Sequence, residues 1–159
     1  MTTFYIREEG AYREASSADV IDRAQHLLRQ RFRTGSPVLG PPALTRDFLK
    51  LHLGQRDSEV FGILHLTARN RLICIEDLFN GTIDSSVVYS REVVRSVLEH
   101  NTAGVICYHN HPSGEVTPSE VDQIMTERLK AALSLVDVRL IDHLIIGDGV
   151  YSFAEYGLL

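Results

Sequence analysis

The sequence predicts a three-layer α/β domain, a mixed β-sheet flanked by helices, and three observations carry that prediction. Strand-like apolar runs alternate with helix-period segments from about residue 59 onward. One of them, Gly104-Val105-Ile106-Cys107-Tyr108, is short, apolar and β-branched, as a buried strand is. The joints between runs are brief and carry turn residues, at Ala68-Arg69-Asn70, Asn101-Thr102 and Pro112-Ser113-Gly114.

Taken in order, the chain opens on a hairpin-like stretch over Thr3 to Arg13, turning near Glu9-Gly10. An amphipathic helix over about Asp19 to Phe32 aligns Val20, Ala24, Leu27, Leu28 and Phe32 in a stripe. Such a stripe packs within the fold or against a second subunit, so a homodimer is one expectation; a lipid surface is not. Arg29, Arg31 and Arg33 form the one basic cluster and read as a solvated helix end, where cations are favoured. Residues 34–42 hold three prolines and two glycines and read as a linker. Residues 1–36 are therefore expected to form an N-terminal extension and residues 37–159 the main domain. A short helix near Thr45 to Leu53 leads into the core. Strands at about 59–67 and 70–78 form a meander, followed by a strand near 81–89 and a helix from Ser90 to His100. The Gly104 strand, a long helix, and strands near 138–146 and 149–154 complete the pattern.

The chemistry is concentrated in YHNHPSGEVTPSEVD, residues 108–122, which sets His109, His111, Ser119 and Asp122 at the spacing H-x-H-x7-S-x2-D. In extended backbone residues 109 and 111 project to the same side, so both imidazoles can converge. Thr117-Pro118-Ser119-Glu120 reads as a helix start, with Thr117 as cap, Pro118 in the first helical position and Glu120 completing a capping box. The helix continues through the apolar set Val121, Ile124, Met125, Leu129, Ala132 and Val136. Ser119 and Asp122 then share one face of its first turn. Two histidines and a carboxylate are three protein ligands, and catalytic zinc sites leave the fourth position to water. One zinc per chain on His109, His111 and Asp122 is the expectation.

These residues resemble the JAMM (MPN or JAB) metalloprotease motif. HNHPSG with PSEVD, preceded by SREVVRSVLEHNTAGVI and followed by VRLIDHLIIGDGVYSFAEYGLL, is similar to the RadC branch over roughly residues 37–159. The chain resembles the compact relatives that lack the N-terminal helix-hairpin-helix region of longer RadC proteins. The resemblance implies the JAMM fold, a three-layer, cytidine deaminase-like arrangement. It also implies a glutamate on an earlier strand, and Glu59 of Ser58-Glu59-Val60-Phe61-Gly62 is similar to the family's E-x-x-G start of its first core strand. Glu59 is the expected general base and Ser119 the expected oxyanion donor. Glu76, on the next strand beside Asp77, is the competing glutamate. The reaction so implied is hydrolysis of a peptide or isopeptide bond in a peptide or protein substrate, including one with a ubiquitin-like tail.

The 159 residues suit one domain, and no segment approaches the apolar length of a membrane span. MTTFYIREEG lacks the basic and apolar regions of a signal peptide, so a cytoplasmic protein is expected. The two cysteines, Cys74 and Cys107, lie in strand-like runs and read as buried thiols. A net charge of −5 weakens any case for nucleic-acid binding. The DNA-repair label attached to RadC proteins suggests a metal-dependent nucleic-acid-processing protein as the alternative, and a non-catalytic binding module with the same fold is another. Two histidines favour zinc over the magnesium that nucleases hold with oxygen ligands. His26, His52, His65 and His100 show no paired spacing and read as structural or surface residues. His143 reads as a strand histidine that orients a ligand or packs in the core, and stays outside the predicted site.

Overall fold

The computed structural model describes residues 3–8, 10–31, 42–54, 56–81 and 88–159. The expected linker up to residue 41, Phe32, Arg33 and residues 82–87 of the strand expected near 81–89 lie outside the described residues, as do the side chains of Leu28, Arg29 and Arg31. Gly81, Val88 and Tyr89 carry no strand.

A two-stranded hairpin, β1 (Tyr5–Glu8) with β2 (Ala11–Glu14), turns at Gly10, whose φ of 92° suits glycine. Helix α1 (Ser17–Arg31) follows. Its Val20 and Leu27 stay exposed, so the stripe read as a packing face is only partly covered. Contact with α2 (Pro42–Leu53) includes a hydrogen bond from the Gln25 side chain to the Leu51 carbonyl.

The core is a five-stranded sheet of order β4-β3-β5-β6-β7. Its strands are β3 (Val60–Leu66), β4 (Leu72–Asn80), β5 (Gly104–Asn110), β6 (Arg139–Ile146) and β7 (Val150–Ser152). Only the β5–β6 pair is parallel, which makes the sheet mixed. The meander turn works because Asn70 accepts a left-handed φ of 54°, and Asn101 (φ 49°) likewise leads α3 (Ser90–Glu99) into β5. Helix α4 (Glu120–Ser134) makes the crossover that a parallel pair requires.

Side-chain alternation along the strands produces the three layers. Val60, Leu64, Ile106 and Tyr108 meet Phe48, Leu49 and Leu53 of α2 on one face. Phe61, Ile63, Val105 and Cys107 meet Val93 and Val97 of α3 and Leu129 and Leu133 of α4 on the other. The predicted α/β architecture is therefore the observed one. Gly62 is fixed by crowding: a Cβ there would lie 2.3 Å from the Tyr108 hydroxyl and 2.6 Å from the Glu76 carbonyl oxygen.

Helix α4 corrects two expectations. Its N-cap is Ser119, and the capping box pairs Ser119 with Asp122 rather than Thr117 with Glu120. Glu115 explains the shift, since its carboxylate takes both the N–H and the hydroxyl of Thr117. The buried face is Asp122, Thr126, Leu129 and Leu133, while Val121 and Ile124 are exposed. A carboxylate that must point into the sheet turns the helix away from its best apolar register.

Candidate metal centre

Strand β5 runs straight into the site. His109 is its penultimate residue and is fully buried; His111 lies just beyond its end, and the two Nε2 atoms are 3.0 Å apart. From the first turn of α4, Asp122 Oδ1 lies 3.3 Å from His109 Nε2 and Oδ2 lies 3.6 Å from His111 Nε2. One ligand atom from each of the three residues falls within 4.8 Å of the others. The strand, the tight turn and the capped helix thus bring together the three residues that the spacing singles out.

The hydrogen-bond partners fix which nitrogens face inward. His111 Nδ1 is 2.8 Å from the Glu115 carbonyl, which only accepts, so Nδ1 carries the proton and Nε2 is bare in the neutral ring. His109 is set by a relay through His143 and Thr126. Thr126 Oγ1 donates to the Asp122 carbonyl at 2.6 Å and lies 2.6 Å from His143 Nδ1. The threonine's one proton is used, so His143 Nδ1–H must donate to it. His143 is held neutral, its pKa pushed well down foremost by burial. Its Nε2 therefore accepts from His109 Nδ1, 2.8 Å away, and leaves His109 Nε2 as a lone pair. Two lone-pair nitrogens then face one carboxylate, an arrangement that calls for a cation or a shared proton. Burial works to raise the Asp122 pKa, but a proton shared with His109 and His111, together with the Ser119 hydroxyl, outweighs it and keeps the carboxylate ionised. His111 is held above its ordinary value, foremost by its bond to Asp122.

His143 thus stands behind the site as the partner that orients His109, the role its strand setting left open. Thr126 was not legible as a functional residue, because its part depends on the rotation of α4 against β6. Asn110, between the two ligands in sequence, faces the other way. Its side chain accepts from the Val60 N–H at 2.8 Å and donates to the Ser58 carbonyl at 3.1 Å. Asn110 therefore grips the backbone on both sides of Glu59. Glu59 precedes β3, is partly buried, and is among the charges that raise the His111 pKa.

Ser119 donates its hydroxyl to Asp122 Oδ2 at 2.7 Å, and its backbone N–H reaches the same oxygen at 2.8 Å. These bonds lock the carboxylate and leave Oδ1 toward His109. Glu76, the competing glutamate, sits elsewhere, against His65, Ser96 and His100. Gly114, in the turn after His111, has φ 86°, and a Cβ there would meet the Asp148 carboxylate at 3.0 Å. Both cysteines are free thiols, Cys107 buried and Cys74 partly so. Among the described residues no helix is long and apolar enough to cross a membrane.

Comparison with known proteins places this geometry in context. A family model described as RadC-like JAB domain matches residues 40–158. A UPF0758 protein of Vibrio cholerae is 48% identical over 141 residues, covering 89% of each chain. A UPF0758 protein of Variovorax paradoxus is 44% identical over 151 residues, covering 94% of this chain and 67% of the relative. One from Ectopseudomonas mendocina is 46% identical over 149 residues, with 93% and 66% covered.

Proposed function

Because the chain belongs to the RadC-like JAB domain family, we propose that it is a zinc-dependent hydrolase of peptide or isopeptide bonds. One observation carries the reading: the Nε2 atoms of two imidazoles, whose Nδ1 atoms are turned to partners within the protein, converge on an ionised Asp122. The donor set of two nitrogens and one carboxylate oxygen fits zinc, with one position left for solvent. Zinc held by His109, His111 and Asp122 would supply Lewis acidity, lowering the pKa of a water and polarising a carbonyl.

The chain's own residues have distinct tasks. The Glu59 carboxylate takes the proton of the attacking water and passes it to the leaving amine. Asn110 holds Glu59 in reach by fixing the backbone at Ser58 and Val60. Ser119 supplies a hydroxyl donor at the helix edge once its proton turns from Asp122 to the developing oxyanion. A cavity of about 150 Å³ beside His111, lined in part by Leu53, Arg56, Asn110 and Gly147, gives a substrate chain a place to lie.

Metal content of untagged protein is the test, comparing wild type with His109→Ala. Wild type is expected to hold zinc, and His109→Ala to lose one equivalent. Glu59→Gln is expected to keep that zinc while turnover of peptide or isopeptide substrates falls by about 10²–10⁴-fold. Wild-type protein that takes up no zinc on reconstitution rejects the reading and favours a binding module of the same fold.

A further inference from the structure

A second cluster of ligating groups lies on the same face of the sheet, toward the opposite end of the strands. His65 on β3 pairs with Val105, four residues along β5 from His109, a separation of about 13 Å. Cys74 is the β4 partner of His65, and Glu76 is two residues further on the same face. His100, the C-cap of α3, sets its ring against His65 at 4.4 Å between centroids, tilted by 37°. One ligand atom each from His65, Cys74 and His100 lies within 4.8 Å of the other two. Glu76 Oε2 is 3.2 Å from His65 Nε2 and 4.0 Å from His100 Nδ1.

We propose that His65, Cys74, Glu76 and His100 form a second, structural site for a zinc-like divalent ion, tying β3, β4 and the end of α3 together.

The surroundings prepare the ligands. His65 is fully buried in an apolar layer, and its Nδ1 is paired with Thr102 Oγ1 at 2.7 Å. Its Nε2 lies 3.2 Å from Glu76 Oε2 and 3.2 Å from Ser96 Oγ, so the ring is hydrogen-bonded to Glu76 through Nε2 and gives up that proton on ligating an ion, with Nδ1 then donating to Thr102. His100 Nδ1 donates to the Ser96 carbonyl at 2.9 Å, so its neutral ring has the lone pair on Nε2. On binding, Cys74 Sγ–H releases its proton to solvent and the metal–sulfur bond forms, with no change of oxidation state. Two nitrogens, a sulfur and an oxygen make a borderline-soft set that suits zinc over calcium or magnesium. His65, Cys74 and His100 hold ligand atoms within 4.8 Å of one another, and Glu76, bonded to His65, would close the sphere as a fourth ligand, which marks a structural rather than a catalytic ion.

Cobalt(II) substitution separates this site from the first, because His109, His111 and Asp122 offer no sulfur. Loaded with cobalt, the wild-type chain is expected to show a thiolate-to-cobalt charge-transfer band in the near ultraviolet. The double variant His111→Ala, Asp122→Asn should keep that band while losing one equivalent of metal. Cys74→Ser should abolish the band and lose the other equivalent, keeping the d–d absorption of the first site. Cys74 and His100 are both partly exposed, so His100→Gln gives a second test less exposed to misfolding than any change at His65. Absence of the band in cobalt-loaded wild type overturns the proposal, and so does a band that survives Cys74→Ser or disappears with Cys107→Ser instead.

Discussion

The two histidine clusters on this sheet face solve the same problem in different ways. Each places a fully buried imidazole, His109 or His65, in an apolar layer where an unpaired nitrogen is costly. Each satisfies Nδ1 from within the protein, through His143 and Thr126 in one case and Thr102 in the other. They differ in what stands opposite Nε2. At His109 the facing groups are a second ring nitrogen and a carboxylate already gripped by Ser119, three candidate ligands with a solvent-facing edge at His111. At His65 they are a carboxylate bonded to the Ser96 hydroxyl, a thiol and another imidazole. Burial and a fixed tautomer make a metal ligand; the number of ligands around it separates an open site from a closed one.

Asp122→Ala is the change that breaks the first cluster most completely. It removes a ligand and also the N3 arm of the α4 capping box. Loss of one metal equivalent and of all turnover is expected, with about 1 kcal/mol of stability lost from the cap. Metal analysis, activity and urea unfolding read the three effects separately. The cobalt–thiolate band of the other cluster should be unchanged; its loss would mean that the clusters are not independent.

Asn110→Ala ranks next and separates positioning from ligation. It leaves the buried Val60 N–H without its 2.8 Å acceptor, at a cost of about 1–3 kcal/mol. Both metal equivalents should stay, because Asn110 touches neither ligand set. The turnover number should fall, because the segment that carries Glu59 is no longer clamped from both sides. An unchanged turnover number with normal metal content would remove Asn110 from the catalytic geometry.

This contrast also explains what the sequence reveals. His109, His111, Ser119 and Asp122 fall within one strand–turn–helix unit, so short-range spacing and turn chemistry suffice to bring them together. The Pro112-Ser113-Gly114 break and the helix start are local signals of the same kind. The layers follow as directly, because Val105 and Cys107 alternate with Ile106 and Tyr108 between two faces. Contacts set by packing between distant elements are not written locally. His65, Cys74, Glu76 and His100 come from two strands and a helix end, and no spacing rule joins them. The rotation of α4 is of this type too, since its exposed Val121 and Ile124 sit at helical apolar spacing. So is the Thr126–His143–His109 relay, which exists only once β6 lies beside β5.

The smallest effects, and the sharpest comparison, come from the two threonines. Thr126→Val and Thr102→Val each exchange one hydroxyl for a methyl of similar size and remove no ligand. Thr126→Val leaves His143 Nδ1–H without an acceptor, so the ring loses the constraint that makes its Nε2 accept from His109. Thr102→Val does the same one step closer, at His65 itself. Loss of such an orienting partner typically weakens metal binding by about 10–100-fold. Competition against a zinc chelator should show each substitution weakening its own cluster and sparing the other. The decisive quantity is the ratio between the two affinities in each variant. If Thr126→Val lowered both affinities equally, the relay would be a packing contact of α4 rather than a device that sets the His109 tautomer. If only the first falls, the proton on His109 Nδ1 is being held in place by a hydroxyl two residues removed from the metal.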